Sequence, residues 1–211
     1  MIHIRRTLLA LVLAPAAFTQ TTNSAGPDPI DRILDLVGPV PAASTPHAER
    51  FSEFVQATVG PVPLFGEAAG AGINQWMNTP EEWGQGWGAY GKRYGSNLGY
   101  NAIRQTITYA GSVALREDTR YFASSSSGVW ARTRHALVST FTARRLDGRT
   151  RFSFSNTAGV IGASAISSVW GPESWKGPGN IASNAGVSFA STAAFNVLRE
   201  FLPDILHRPR K

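Results

Sequence analysis

The stretch from Trp83 to Gly99, WGQGWGAYGKRYGSNLG, decides the fold of this chain. Its large aromatic residues recur at intervals of four, three and four residues, and glycines repeat these intervals one residue later. The two sets are Trp83, Trp87, Tyr90 and Tyr94, and Gly84, Gly88, Gly91 and Gly95. On a helix each set lies along one side, and the two sides adjoin. The pattern predicts a helix whose glycine side packs closely on another helix, beside a ridge of aromatic rings.

The segment Thr79-Pro80-Glu81-Glu82 predicts where that helix begins. Threonine caps helices, proline suits the first helical position, and a glutamate three residues after the cap completes a capping box. We expect the helix to run from there to about Arg116. The segment 86–91 also matches G-x-G-x-x-G, but a dinucleotide site requires a strand before that motif. A helix start precedes it here, so helix packing accounts better for the glycines.

The remaining chain predicts further helices and one β-hairpin. Apolar and polar residues alternate on both sides of Asp147-Gly148, which is the pattern of a hairpin at about 140–154. The segments 155–169 and 179–198 contain no charged residue and predict two uncharged helices. Gly159, Gly162 and Gly186 are further candidates for helix packing. The expected fold is mainly α: a compact bundle of five or six glycine-, alanine- and serine-rich helices with one hairpin.

The beginning of the chain has the layout of a secretory signal peptide. Arg5 and Arg6 precede an apolar run from Leu8 to Ala17, and small residues follow. We therefore expect a signal peptide over 1–25, a linker with a short helix over 26–46, a single helical domain over 47–206 and a basic tail over 207–211. Export to the periplasm or outer membrane follows from this organisation.

Composition narrows the classes of partner. The formal net charge is +6, charged residues make up only 16% of the chain, and there is no cysteine. Such a low charge fraction indicates a surface hidden within the fold, in a partner or in a membrane. Export argues against nucleic acid, so membrane lipid, another envelope component or a second copy of the chain is the expected partner.

No complete catalytic constellation stands out in the sequence. The candidates are His135 as a general base with Glu117 or Asp118 as the acidic group that orients it. The alternative interpretation is a surface histidine on a basic helix. No histidines stand at metal-ligand spacing, so we expect neither a metal nor a cofactor.

Glu67 lies on a helix whose other residues are mostly small and apolar. It is either an isolated buried carboxylate or a glutamate of the first helical turn.

Two groups of side chains are candidates for binding. The aromatic ridge of Trp83, Trp87, Tyr90 and Tyr94 could stack on sugars or apolar ligands. The segment 116–151 is rich in arginine, whose guanidinium suits phosphate. Arg116, Arg120, Arg132 and Arg134 are therefore candidates for contact with lipid headgroups, and the alternative is a solvated basic face with internal ion pairs.

Three segments resemble an uncharacterised family of exported bacterial proteins. They are the run Trp83–Gly95, the motif Glu117-Asp118-Thr119-Arg120-Tyr121-Phe122 and the turn Asp147-Gly148. The resemblance covers roughly Phe65 to Ile205 and implies that these motifs belong to one domain. It implies no activity and no catalytic residues.

Three hypotheses for function follow. The first is an exported envelope protein without catalytic activity, which is membrane-associated or self-associating through its small-residue helix faces. The second is an envelope hydrolase or transferase that acts on lipid or cell-wall material through His135 with Asp118 or Glu117. The third is a soluble binding module that uses the aromatic ridge.

Overall fold

The computed structural model describes residues 47–145 and 148–206, together with Pro29. Six α-helices lie in these residues: α1 (His47–Val59), α2 (Pro61–Trp76), α3 (Trp87–Leu115), α4 (Val129–Val138), α5 (Phe154–Ser167) and α6 (Pro178–Ile205). Two short 3-10 turns, Glu81–Trp83 and Glu173–Trp175, precede α3 and α6. The fold is mainly helical, as predicted. The expected signal peptide and basic tail lie outside the described residues, as does the expected linker except for Pro29.

The predicted hairpin is present and belongs to a three-stranded antiparallel sheet. Strand β2 (Thr142–Arg145) pairs with β3 (Thr150–Phe152), and Gly148 in the connecting turn has φ 75°. The sequence did not predict the third strand, β1 (Glu117–Asp118), which pairs with β2 on the other side. Asp147, the other predicted turn residue, lies outside the described residues.

Helix α3 is the centre of the bundle. One side of it packs on α1 and α2, which run antiparallel to it along its length. Tyr90 donates a hydrogen bond to the Ala68 carbonyl oxygen at 3.1 Å, and Asn101 donates to the Ala57 carbonyl oxygen at 3.1 Å. Polar side chains of α3 therefore reach backbone carbonyls of its neighbours.

A second side of α3 packs closely on α5. A Cβ atom added at Gly159 would overlap the Thr108 hydroxyl and come within 2.9 Å of the Arg104 carbonyl oxygen. A Cβ atom at Gly162 would lie 2.7 Å from the Ile107 side chain. Glycine is needed at Gly159 because a side chain there would press on the backbone of α3, whereas at Gly162 the end of the Ile107 side chain would have to shift. The sequence predicted Gly159 and Gly162 as packing positions in the last two helices, and the helix on which they pack closely is α3.

The glycines of the opening motif behave differently. Added Cβ atoms at Gly84, Gly88, Gly91, Gly95 and Gly186 meet no atom within 4 Å. Gly88, Gly91 and Gly95 lie on α3, Gly84 precedes that helix, and Gly186 lies on α6. The expected close helix contact is therefore corrected at all five positions. The spacing predicted a smooth face correctly but not what that face meets.

The start of α3 also differs from the expectation. The capping box at Thr79–Glu82 does not form, and Gly84 and Gly86, with φ values of 68° and 95°, interrupt the predicted helix after it. The Thr79 hydroxyl donates instead to the Met77 carbonyl oxygen at 3.3 Å, and the Thr79–Pro80 peptide bond is cis. The continuous helix begins at Trp87. Trp83 and Gly84 therefore do not lie on α3.

Burial in this bundle is the reverse of the usual distribution. Among the described residues, nine apolar residues and fifteen polar or charged residues are buried, whereas twenty-six large apolar side chains are exposed. Trp87 and Trp76 are 89% and 86% exposed. Interior contacts are made largely by serine, asparagine, threonine and four charged residues: Arg93, Glu117, Arg132 and Glu200. A large exposed apolar surface is typical of a site that contacts a membrane or another molecule.

Candidate functional site

The third side of α3 forms the floor of an open groove with a volume of about 780 Å³. Small residues of α3 give the floor its smooth shape, and two tryptophans outside α3 form walls. The groove is lined by Trp83, Gly91, Lys92, Gly95, Ser96, Gly99, Ala102, Ile103 and Trp170. The glycine side of the opening motif is thus an accessible surface in this structure.

The Trp83 wall is positioned by Arg93, a buried residue of α3. Its guanidinium donates to the carbonyl oxygens of Thr79 at 2.8 Å, Pro80 at 2.9 Å and Gly84 at 2.9 Å. A further N–H donates to the Gln75 side-chain oxygen at 2.5 Å. The planar fork of arginine can satisfy several acceptors at once. Arg93 therefore holds the segment 79–84 against α3.

The Trp170 wall is held from the same helix. The Trp170 indole N–H donates to the Ser96 hydroxyl at 3.0 Å. A third tryptophan packs on the Trp83 wall, since the Trp83 and Trp175 ring centroids are 5.3 Å apart. The Ser174 backbone N–H also donates to the Glu82 carboxylate at 3.3 Å, and hydrogen bonds at this carboxylate lower the pKa of Glu82. Both walls are therefore fixed before any ligand arrives.

Among the described residues, Lys92 is the only charged residue that lines the groove. Its side chain is exposed, and within the described residues it forms no ion pair. The groove thus combines an apolar floor, two indole walls and one available cation. This combination suits a ligand that is mostly apolar and carries one negative charge.

The aromatic ridge is only partly a surface. Trp87 and Tyr90 have ring centroids 6.2 Å apart, and Tyr90 and Tyr94 stack at 6.4 Å, so the three rings on α3 form the predicted row. Tyr90 and Tyr94 are half-buried, and only Trp87 is largely exposed. Trp83 lies away from this row, in the groove. A binding site made of all four rings is therefore not formed.

The catalytic candidates do not converge. The His135 ring contacts the Phe122 carbonyl oxygen at 3.0 Å and the Ser139 hydroxyl at 3.4 Å, and it makes no hydrogen bond with Asp118 or Glu117. Asp118 binds Arg120 at 2.6 Å, which holds the pKa of Asp118 below its usual range against the opposing effect of burial. The geometry needed for a general base oriented by an acid is thus missing at His135.

Glu117 has a structural position instead. Its carboxylate accepts from the Ser155 hydroxyl at 2.6 Å, the Ser155 backbone N–H at 3.1 Å and the Ser153 hydroxyl at 3.3 Å. These groups form the beginning of α5, where an anion is favoured by the free backbone N–H groups and the helix dipole. The charge of Glu117 therefore stabilises a helix terminus.

The four candidate arginines separate into two groups. Arg120 binds Asp118 and Glu53, and Arg132 binds Glu200 and Asp204, so both arginines are committed to ion pairs within the fold. Arg116 and Arg134 are exposed. The expected contact with anionic headgroups is thus restricted to the second group.

Sequence reasoning missed the cluster around Glu200. This fully buried carboxylate accepts from the Tyr121 hydroxyl at 2.6 Å and the Ser124 backbone N–H at 3.2 Å, and it pairs with Arg132 at 3.0 Å. The cluster joins α6, α4 and the segment after β1. Its members lie up to 79 residues apart in the sequence, so no local sequence pattern could have predicted the cluster.

Glu67 is a carboxyl whose pKa is strongly shifted by its surroundings. Burial raises the pKa of Glu67 to about 7, and attraction to Arg104 opposes this shift. Arg104 itself donates to Asn156 at 3.3 Å and Thr192 at 3.1 Å. Glu67 does not line the groove on α3. Its position favours an effect on stability.

Neither a candidate metal site nor a candidate membrane-spanning helix is found among the described residues. No group of three or more histidine, cysteine or acidic side chains there is placed to hold a metal ion. Of the helices in this part of the chain, none combines the length and the apolar character needed to cross a membrane.

The chain matches no protein-family model, no curated protein and no solved structure. The resemblance to an uncharacterised exported family therefore stays a prediction.

Proposed function

We propose that this protein is a non-catalytic envelope component that associates with membrane lipid through an uncharged outer surface. We define the uncharged surface as the exposed residues of α2, α5 and the part of α6 before Arg199. Every exposed residue of α2 and α5 is apolar or glycine: Pro61, Leu64, Phe65, Gly66, Ala69, Ile73 and Trp76 on α2, and Phe154, Ala158, Ile161, Ala165 and Ile166 on α5. This distribution is the observation that carries the proposal.

The placement of exposed charge supports the same proposal. Exposed charged residues lie near the two ends of the bundle rather than along it. Glu81, Glu82, Lys92, Glu173 and Lys176 lie near the start of α3, and Arg116, Arg134, Arg149, Arg151 and Asp204 lie near its end. Between them, the outward side of α6 up to Leu198 carries only apolar, small, serine and asparagine residues. Water favours charged side chains on such a surface, whereas lipid disfavours them.

Export is the second component of the proposal and rests on the sequence of 1–25. The absence of a converged site at His135, Asp118 and Glu117 removes the support for the hydrolase or transferase alternative. The same apolar surface could instead be covered by a second copy of the chain, and the experiment must distinguish these two occupants.

Flotation with vesicles tests the proposal. The chain is mixed with phosphatidylethanolamine and phosphatidylglycerol vesicles and centrifuged in a density gradient, and light scattering measures its oligomeric state without lipid. We expect the protein to float with the vesicles. The double variant Ile161→Asp with Ile166→Asp should bind at least about tenfold more weakly, because each exposed isoleucine that is buried in lipid contributes about 1.5–3 kcal/mol.

The matched control introduces the same charge elsewhere. Ser125→Asp with Ser127→Asp lies in an exposed loop and should leave flotation unchanged. Circular dichroism must show the same helix content for both variants. A chain that remains monomeric in buffer and does not float would overturn the proposal. A defined oligomer that does not float would also overturn it and would assign the uncharged surface to a second copy.

A further inference from the structure

We propose that the groove on α3 binds a single-chain fatty acid, with the acyl chain along the glycine floor and the carboxylate at Lys92. This site is separate from the uncharged surface on α2, α5 and α6. It concerns one ligand molecule dissolved in water, and so it does not depend on association with vesicles.

The shape of the groove favours an elongated apolar ligand. The floor follows α3 from Gly91 to Ile103, and a helical rise of 1.5 Å per residue gives it a length of about 18 Å. Added Cβ atoms at Gly91 and Gly95 meet no atom within 4 Å, so the space above the floor is open. The volume of about 780 Å³ lies within the range of ligand pockets in proteins.

The walls are held by polar contacts to α3, one of them behind the groove at Arg93 and one at its lining residue Ser96. Arg93 fixes the segment that carries Trp83, and the Ser96 hydroxyl accepts from the Trp170 indole N–H. An acyl chain would lie between two flat apolar faces that need no rearrangement on binding. Preorganised side chains lose little conformational entropy when a ligand binds, and this favours affinity.

The charge at the groove favours a carboxylate over other occupants. In the part of the chain that the structure describes, Lys92 is the single charged residue of the lining, no acidic residue lines the groove beside it, and no ion pair neutralises it. A fatty acid would bring one negative charge to this cation and apolar carbon to the remaining lining.

A second copy of α3 fits this groove less well. A two-fold contact between glycine sides, centred on Gly95, would bring the Lys92 side chains of both copies to one apolar interface. Like charges in such an interface are costly unless each finds a partner. The charge of the groove therefore selects an anionic ligand over the same chain.

Tryptophan fluorescence provides the test. Dibromostearate, a fatty acid that quenches nearby indoles, is titrated into the full chain below its critical micelle concentration, and unlabelled stearate is used as the competitor. We expect saturable quenching that stearate reverses. The methyl ester of dibromostearate has the same chain without the charge and should bind about threefold to tenfold more weakly, as expected for loss of one partly exposed ion pair.

Variants of α3 locate the ligand. Gly95→Leu fills the floor and should weaken binding by at least about tenfold, because the added side chain occupies the space of the acyl chain. Gly88→Leu is the matched control, since Gly88 is also an exposed glycine of α3 with no atom near an added Cβ but does not line the groove. Lys92→Gln should weaken binding of the acid to the level of the ester.

Three results would overturn the proposal. They are equal affinity for acid and ester, equal loss of binding in Gly88→Leu and Gly95→Leu, and quenching that does not saturate below the critical micelle concentration. Flotation with vesicles is measured on the same variants. Intact flotation with no saturable quenching would reject the groove site alone, and saturable quenching without flotation would reject lipid association alone.

Discussion

The Glu117 carboxylate accepts a hydrogen bond from the Ser155 hydroxyl at 2.6 Å, and this contact joins strand β1 to the first turn of α5. Two residues that are 38 positions apart thereby cap a helix that has no acidic residue in its own first turn. Glu117 is only 1% exposed, and its charge is compensated by the donors of Ser153 and Ser155 together with the Arg145 guanidinium, which lies 3.7 Å from the carboxylate.

Replacement of Glu117 should therefore be costly. Glu117→Ala leaves the donors of Ser153 and Ser155 without their shared acceptor, and we expect the free energy of unfolding to fall by about 2–4 kcal/mol. Urea unfolding monitored by circular dichroism measures the change. Glu53→Gln removes a more exposed carboxylate that binds Arg120 and should cost less than about 1 kcal/mol. Equal losses in the two variants would contradict the capping role.

The glycines of α3 and α5 should respond to alanine in opposite directions. Gly95→Ala places a methyl group in open space and should stabilise the fold by about 1 kcal/mol through helix propensity. Gly159→Ala would overlap the Thr108 hydroxyl and approach the Arg104 carbonyl oxygen, and should destabilise the fold by about 1–3 kcal/mol. Thermal unfolding of the two variants, which carry the same chemical change, checks this contrast. A loss of stability in Gly95→Ala would show that α3 has a closely packed neighbour on that side.

The contrast between Gly95 and Gly159 shows which features of the fold could be predicted from the sequence. Alternation around Asp147-Gly148 depends on local geometry, and the hairpin it predicted is present. Residue spacing also identified the smooth side of α3. It could not distinguish Gly95, which faces open space, from Gly159, which meets α3, because the neighbour of a helix face is set by tertiary packing. The predicted start of the helix was wrong for a local reason. Glycine tolerates a positive φ, and the positive φ at Gly84 interrupts the predicted helix.

Arg93 shows why the candidate site was only partly predictable. A charged residue inside the motif is expected on a solvated face, whereas here it is buried against backbone carbonyls. Carbonyl acceptors exist at every residue and leave no sequence signal. The groove depends on Arg93 and on Trp170, which lies 74 residues from its hydrogen-bond partner Ser96, so its walls became apparent only in the fold.

Substitution of Arg93 should loosen the segment that carries Trp83. Arg93→Lys keeps the charge but loses the fork that serves several acceptors, and we expect the segment 79–84 to open with about 1–3 kcal/mol less free energy. Hydrogen exchange measured by mass spectrometry reports this opening for the peptide that contains Trp83. Lys92→Arg changes the neighbouring, exposed cation and serves as the control. Unchanged exchange over 79–84 in Arg93→Lys would show that this arginine does not hold the wall.

The exposed arginines near the end of α3 should respond to lipid charge. Arg116→Gln with Arg134→Gln should weaken binding to vesicles rich in phosphatidylglycerol by about fivefold per arginine, because each cation near an anionic surface contributes about 1 kcal/mol. Sedimentation with vesicles at low and high salt measures the effect, which should shrink as salt screens it. Lys176→Gln, at the opposite end of the bundle, is the control. An equal loss on uncharged phosphatidylcholine vesicles would argue against contact between these arginines and anionic headgroups.

The buried carboxyl of Glu67 should make stability depend on pH. Burial raises its pKa from 4.5 to about 7 despite the attraction of Arg104, so the folded chain holds this proton more tightly than the unfolded chain does. As pH rises from about 4.5 to about 7, the unfolded chain releases the proton first and the free energy of unfolding falls. Glu67→Gln carries no proton to lose and should avoid this part of the decline. The variant should match the parent chain near pH 4 and exceed its stability by about 2–3 kcal/mol near pH 8.

Urea unfolding at both pH values measures the two differences. Glu81→Gln, on the exposed turn before α3, is the matched substitution that should not reproduce the gain. A difference between Glu67→Gln and the parent chain that stays constant with pH would show that this carboxyl is not held in its protonated form by the fold.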